Sequence, residues 1–192
     1  MGLGDDIERI LWTEQEIADK ISELGSQITR DLRHGGVAPP PPIAVVVGVA
    51  TGAFMFVADL VKKIDLSIAV DFIRVESYGS GTVSSGRPTI PFDLKLDVGG
   101  KHVLLVEDII DSGRSMACLI DYMKSRGASS VSVCTLLDKP ARRKVDFEVV
   151  GEGKFYSGFE CPDEFVVGYG LDFDEAYRNL PYIGVLRPEL YQ

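Results

Sequence analysis

The sequence predicts an α/β fold: a mostly parallel twisted sheet with helices on both faces and a small hood over its open end. Three observations predict it. Residues 43–47, 67–75 and 102–106 are apolar runs with little alternation, the pattern of strands buried on both faces. Helical patterns at 54–64 and 115–126 separate or follow them, and alternating strands and helices specify a parallel sheet covered on both sides. From Asp138 onward the pattern is less regular. The 192 residues therefore read as a single domain, with the hood expected mainly from 145–192.

The elements follow in order. Thr13 and Glu16 have capping-box spacing, and Ile17, Ile21, Leu24, Ile28 and Leu32 then recur at helical intervals. The opposite face carries Glu14, Asp19, Lys20, Glu23 and Arg30, so this first element is a helix packed on the core. His34-Gly35-Gly36 ends it, and Pro39 to Pro42 form a stiff approach to the strand at 43–47. Gly48 to Gly52 make a turn into the helix at 54–64, and another buried strand is expected at 67–75. The Gly- and Ser-rich stretch 79–88 reads as a mobile loop. Phe92, Leu94 and Leu96 alternate with Asp93, Lys95 and Asp97, which predicts a half-exposed strand. Gly99-Gly100 turns into the strand at 102–106. The helix at 115–126 turns Met116, Leu119, Ile120 and Met123 inward, and a fourth strand occupies 130–137. Beyond it, only 147–150 and 165–167 look strand-like.

Charge and cysteine usage exclude several function classes. With 20 basic and 29 acidic residues, the net charge is −9, against general affinity for nucleic acid, which requires neutralising phosphates with Lys and Arg. An anionic ligand must be held locally, by backbone N–H groups, a few placed cations or a divalent metal. Cys118, Cys134 and Cys161 form no CxxC pair, so neither a disulfide framework nor a thiolate zinc site is expected. The opening residues lack the order of a signal peptide, and no apolar run approaches the roughly 18 residues of a membrane span. A cytoplasmic protein is expected.

The chemistry concentrates after the strand at 102–106. That strand feeds Glu107-Asp108-Ile109-Ile110-Asp111-Ser112-Gly113-Arg114-Ser115, and a helix follows. In open α/β sheets, ligands sit beyond the carboxyl ends of the strands. Successive N–H groups from Asp111 to Ser115, with the helix N-terminus, can form a phosphate-binding concavity. Ser112 and Ser115 add hydroxyls, and Gly113 permits close backbone approach. Glu107 and Asp108 can accept hydrogen bonds from ribose hydroxyls or orient water on a magnesium ion. A ligand with both sugar and phosphate suits the two halves. Asp111 is a candidate base; Arg114 is not. No GxxxxGK[ST] or GxGxxG-plus-helix motif is present.

The run 106–115 resembles the phosphoribosyl-pyrophosphate motif of type I phosphoribosyltransferases. Ser77-Tyr78-Gly79 with the following Gly/Ser loop, Leu137-Asp138-Lys139-Pro140, and the stretch 159–172 resemble, in order, the mobile lid, purine-contacting lysine strand and base-binding hood of the hypoxanthine-guanine branch. The resemblance spans about residues 43–187. It implies transfer of 5-phosphoribosyl from 5-phosphoribosyl 1-pyrophosphate to N9 of a 6-oxopurine, with Asp111 as general base near purine N7. It also implies that residues Asp111 to Ser115 hold the 5′-phosphate, while Glu107 and Asp108 hold the ribose hydroxyls, directly or through metal-bound water. Lys139 would bond the 6-oxo group, Phe165 would stack on the purine, and Val166 and Asp172 would read the base edge through their backbones. Asp172 would contact magnesium, Arg178 would reach pyrophosphate, and Ser77 and Tyr78 would close over the donor. Thr51 stands where the family often has lysine; Gly52 keeps the loop's backbone role possible, frequently through a cis peptide. A homodimer or homotetramer is implied. The alternative is a non-catalytic nucleotide-sensing regulator on the same fold, which the net charge disfavours.

Overall fold

The computed structural model describes residues 2–34, 44–76 and 89–191. The proline run at 39–42, and Ser77, Tyr78 and the Gly/Ser loop after them, lie outside the described residues.

In chain order the elements are β1 (Ile7–Trp12), α1 (Glu14–His34), β2 (Ala44–Ala50), α2 (Phe54–Val61), β3 (Ile68–Glu76) and β4 (Thr89–Phe92). They continue with β5 (His102–Ile110), α3 (Arg114–Ser125), β6 (Ser130–Asp138), β7 (Phe155–Glu160), β8 (Val166–Val167) and β9 (Ile183–Leu186). Thr13 starts α1 as its spacing predicts: the Thr13 N–H donates to Glu16 Oε2 (2.8 Å) and the Glu16 N–H to Thr13 Oγ1 (3.3 Å).

The main sheet has the order β4-β3-β2-β5-β6-β7. Its strands are parallel except β4, which runs antiparallel to β3. The central pair β2 and β5 align Ala44 with His102 and Gly48 with Val106, so the turns leaving both strands emerge at the same end. Side chains alternate across the pleat. Val46 and Leu104 face α1 and α2, packing with Ile21, Ile28, Phe56 and Leu60. Val45, Val47, Val103 and Leu105 face α3, packing with Met116, Leu119 and Met123. Covering both faces explains the unbroken apolar runs.

Several expectations need correction. The first residues form β1, a strand that carries no clear alternation because its pairing with β9 shifts register between Ile7 and Arg9 and again between Ile10 and Trp12. The hood is a three-stranded sheet, β1-β9-β8, in which β1 joins two strands from within 145–192. Conversely, β7 belongs to the main sheet, parallel to β6. Residues 93–97 do not continue β4. The Asp71 carboxylate accepts the N–H groups of Lys95 (2.8 Å) and Leu96 (2.9 Å), and Asp93 accepts that of Leu94 (2.6 Å), so side chains take the donors a ladder would use. β3 is not buried on both faces; Ile73 is buried but Val70 is 43% exposed. The 147–150 run contributes only an isolated bridge between Val131 and Val150.

Candidate active site

The site lies where β2 and β5 end together. β5 carries Glu107 to Ile110, then Asp111-Ser112-Gly113 turn directly into α3. This turn uses its carbonyls and leaves its N–H groups unused. The Ser112 carbonyl accepts the N–H groups of Lys144 and Val145, each at 3.0 Å, and Arg143 Nε donates to the Asp111 carbonyl at 3.3 Å. Arg143 also pairs with Asp138, which anchors that supporting segment. The N–H groups of Asp111, Ser112 and Gly113 meet no protein acceptor among the described residues. Gly113 has φ 81°, and a Cβ there would lie 2.1 Å from the Val145 carbonyl oxygen. Only glycine permits both the left-handed backbone and the close support. Bare N–H groups at a helix start favour an anion.

Beside the turn is a cavity of about 290 Å³ bounded by Thr51, Gly52, Glu107 to Gly113, Ser115, Asp172 and Arg178. Arg114 opens α3 with its side chain exposed, outside this wall. The Ala50–Thr51 peptide is cis. A Cβ on Gly52 would sit 1.9 Å from Asp108 Oδ2, so glycine lets this loop pass directly over the acid. Thr51 is exposed at the rim.

The electrostatics are those of a site short of positive charge. Burial raises the Glu107 carboxyl well above the usual carboxylate range, and the charge and hydrogen bond of Asp108 add to the rise. Burial also raises Asp108; its bonds to Glu107 and to backbone N–H groups, and the charge of Arg178, oppose that rise. Asp172 pairs with Arg178 (3.0 Å) and accepts the N–H of Glu175 (3.0 Å). Arg178 also donates to the Gly170 carbonyl (2.8 Å) and pairs with Glu175 (3.0 Å). Its Nε is the only buried side-chain polar atom without a partner among the described residues. Glu107, Asp108 and Asp172 share the cavity, yet no cluster of three or more metal-ligating side chains is preformed among the described residues.

A second cavity, about 510 Å³, shares Asp108, Ile109, Asp111 and Asp172 with the first and extends under the hood to Lys139, Phe165 and Val166. Lys139 is buried, not solvated; its Nζ donates to the Glu164 carbonyl (2.6 Å), and the nearest carboxylate, Asp163, is 3.9 Å away. A lysine with no tight ionic partner keeps donor capacity for a ligand. Phe165 is 36% exposed, stacked on Tyr191 and met edge-on by Phe173. Asp111 stands half-exposed on the shared wall, with Arg142 Nε 3.4 Å from its Oδ1. Arg142 reaches Asp163 as well (3.3 Å). Arg142, Asp163 and Tyr191 also line this second cavity, and no role follows for them from the sequence motifs. The basic run at 142–144 is a signal for the first, and Asp163 lies within the 159–172 stretch; tertiary placement alone brings Tyr191.

The fold and this pair of joined hollows define a phosphoribosyl transferase domain, and the family model of that description matches residues 9–174. The chain is 46% identical to the hypoxanthine-guanine phosphoribosyltransferase of Bacillus subtilis, over 97% of both proteins. It is 50% identical to the bifunctional protein TilS/HprT of Listeria monocytogenes, covering 97% of this chain and spanning only 27% of that larger protein. A crystal structure of a hypoxanthine phosphoribosyltransferase from Staphylococcus aureus superposes with a TM-score of 0.86 at 43% identity, covering 99% of this chain and 97% of that one. The chain belongs to the hypoxanthine-guanine phosphoribosyltransferase family.

Proposed function

We infer that this chain is a purine-salvage enzyme, transferring 5-phosphoribosyl from 5-phosphoribosyl 1-pyrophosphate to N9 of hypoxanthine, guanine or xanthine and releasing pyrophosphate. The observation that carries the reading is the continuity of the two hollows: a cavity of amides and acids opens through Asp108, Ile109 and Asp111 into one bearing a buried lysine and a half-exposed phenylalanine. A sugar phosphate and a flat base fit side by side across that wall. The relatives' names support the same assignment, and neither they nor the acidic charge support a non-catalytic regulator.

The roles follow from the chemistry. The turn from Asp111 to Ser115 binds the 5′-phosphate through its N–H groups and hydroxyls. Glu107 and Asp108 accept hydrogen bonds from the ribose hydroxyls, which relieves two carboxyls crowded together. Lys139 donates to the 6-oxo group, where the amino group of adenine would oppose donor to donor. Phe165 stacks on the base, and the backbone at Val166 and Asp172 reads its edge. Asp111 accepts a proton near N7 as N9 attacks. Arg178, Thr51 and Gly52 face the departing pyrophosphate. The donor set fits Mg²⁺, which keeps water and takes one or two carboxylates with substrate phosphates and needs no full protein cage. Asp172, with Glu107 and Asp108 through water or ribose, would hold it, and it would supply positive charge opposite the pyrophosphate.

We read all 192 residues as one domain, acting in the cytoplasm as a homodimer or homotetramer. Among the described residues no helix is long and apolar enough to cross a membrane. Light scattering checks the assembly; a monomer at assay concentration would contradict it. A steady-state assay with the phosphoribosyl donor, magnesium and each of hypoxanthine, guanine, xanthine and adenine tests the activity. Nucleotide formation from oxopurines, lost in excess chelator, is expected. Equal turnover of adenine, or full activity with chelator, overturns the base or metal assignment respectively.

A further inference from the structure

We propose that Tyr191 is a positioning residue of the purine subsite, backing the Phe165 ring and fixing the plane on which the base stacks. The proposal rests on the reading of the second cavity as the base site; neither the relatives' names nor the sequence motifs give Tyr191 a role. The Tyr191 and Phe165 rings stack with centroids 4.8 Å apart and planes 25° from parallel. Phe173 meets Phe165 edge-on at 5.5 Å and 88°. Phe165 thus stacks one face on Tyr191 and meets Phe173 at a right angle, and it is still 36% exposed; it lines the cavity with Lys139, Ile109 and, at the edge of the stack, Tyr191 itself. The uncovered face is the one left for a ligand.

Phe165 precedes the two-residue strand β8, and its main chain is tied down: its carbonyl accepts the Leu186 N–H at 2.9 Å. That bond fixes the backbone and leaves the side-chain torsions free. Tyr191 removes that freedom before a base arrives, so less ordering is left for binding to supply. Tyr191 is itself placed by an anchored turn. The Arg187 N–H donates to the Asp6 carbonyl (3.0 Å), Arg187 Nε to the Asp5 carbonyl (2.9 Å), and the Tyr191 N–H to the Pro188 carbonyl (3.2 Å). The first residues of the sequence therefore reach the base site through Arg187 and Tyr191. Since the ring does the work, the hydroxyl is dispensable.

The test compares Tyr191→Ala, Tyr191→Phe, Phe165→Ala and the Tyr191→Ala/Phe165→Ala double variant in the full chain, measuring KM for hypoxanthine and for the donor separately. An aromatic pair of this kind predicts that Tyr191→Ala raises the hypoxanthine KM about three- to tenfold, with donor KM and kcat within about twofold of the parent. Tyr191→Phe should recover the hypoxanthine KM. In the double variant Tyr191→Ala should add little, because it acts through Phe165. An unchanged hypoxanthine KM in Tyr191→Ala, an equal rise in both KM values, or effects that multiply in the double variant would overturn the proposal. A parent-like hypoxanthine KM in Phe165→Ala would instead overturn the base-site reading, and this inference with it.

Discussion

The two ends of the parallel sheet are both polar, and they are built in opposite ways. At the amino end, buried polar groups satisfy one another. His102, which begins β5, has its Nδ1 against Ser130 Oγ and its Nε2 3.1 Å from Ser132 Oγ. Beside it, Asp31 pairs with Lys154 (2.9 Å) and accepts the Tyr156 hydroxyl (3.1 Å). At the carboxyl end, the same β5 finishes in a buried Glu107 and a half-buried Asp108, both raised above their usual range, and the N–H groups of the following turn and the Arg178 Nε meet no protein partner among the described residues. Leaving buried polar groups unpaired costs about 1–3 kcal/mol each. A fold that closes its polar network at one end and leaves it open at the other reserves the open end for a ligand.

This contrast predicts that changes at the carboxyl end reduce activity with little loss of stability, and that changes at the amino end do the reverse. The largest effect is expected at Asp111. Asp111→Asn should lower kcat by roughly ten- to ten-thousand-fold, the span of a lost general base, with donor binding and thermal midpoint retained. Unchanged turnover would remove Asp111 from that role. Next is Lys139→Ala. A hydrogen bond from a charged donor is worth about 1.5–3 kcal/mol, so kcat/KM for hypoxanthine should fall roughly ten- to hundredfold relative to adenine. A parent-like ratio between the two bases would break the assignment.

At the other end the expected effect on activity is the smallest, and the signature is instead a pH dependence of stability. Burial lowers the His102 pKa from its ordinary 6.5 to about 4. The folded imidazole stays neutral where the unfolded one is protonated, so stability is unaffected by this group above pH 6.5 and falls as pH drops from 6.5 towards 4. The slope is about 1.4 kcal/mol per pH unit within that window. Urea unfolding across it should show the slope in the parent and a flatter curve in His102→Gln. Equal curves would contradict the linkage, and a matching acid loss of kcat would blur the division between the two ends.

The parts of this architecture legible in the sequence are those set by local pattern or by a contiguous motif. β2, β5 and α1 declare themselves because burial on one or both faces dictates which residues are apolar. The acidic turn is legible because one short stretch supplies acids, hydroxyls and glycine together. Lys139 and Phe165 are readable by resemblance only; nothing in the sequence shows that Lys139 is buried against the Glu164 carbonyl. β1 is hidden because its partner is β9, at the far end of the sequence, and two register shifts erase its alternation. The break after Phe92 depends on Asp71, a residue of β3 that captures N–H groups of another segment. Tyr191 enters the site through tertiary contacts that no spacing encodes.

Amide resonances offer the most direct test of the central claim that the turn after β5 grips phosphate through its main chain. The backbone N–H shifts of Asp111, Ser112 and Gly113 are followed as the phosphoribosyl donor and magnesium are added, with the amides of Ser130 and Ser132 as the internal comparison. Large, saturable shifts are expected at the three turn amides, with stationary signals at the amino end of β6. Stationary turn amides at saturating donor would contradict that claim.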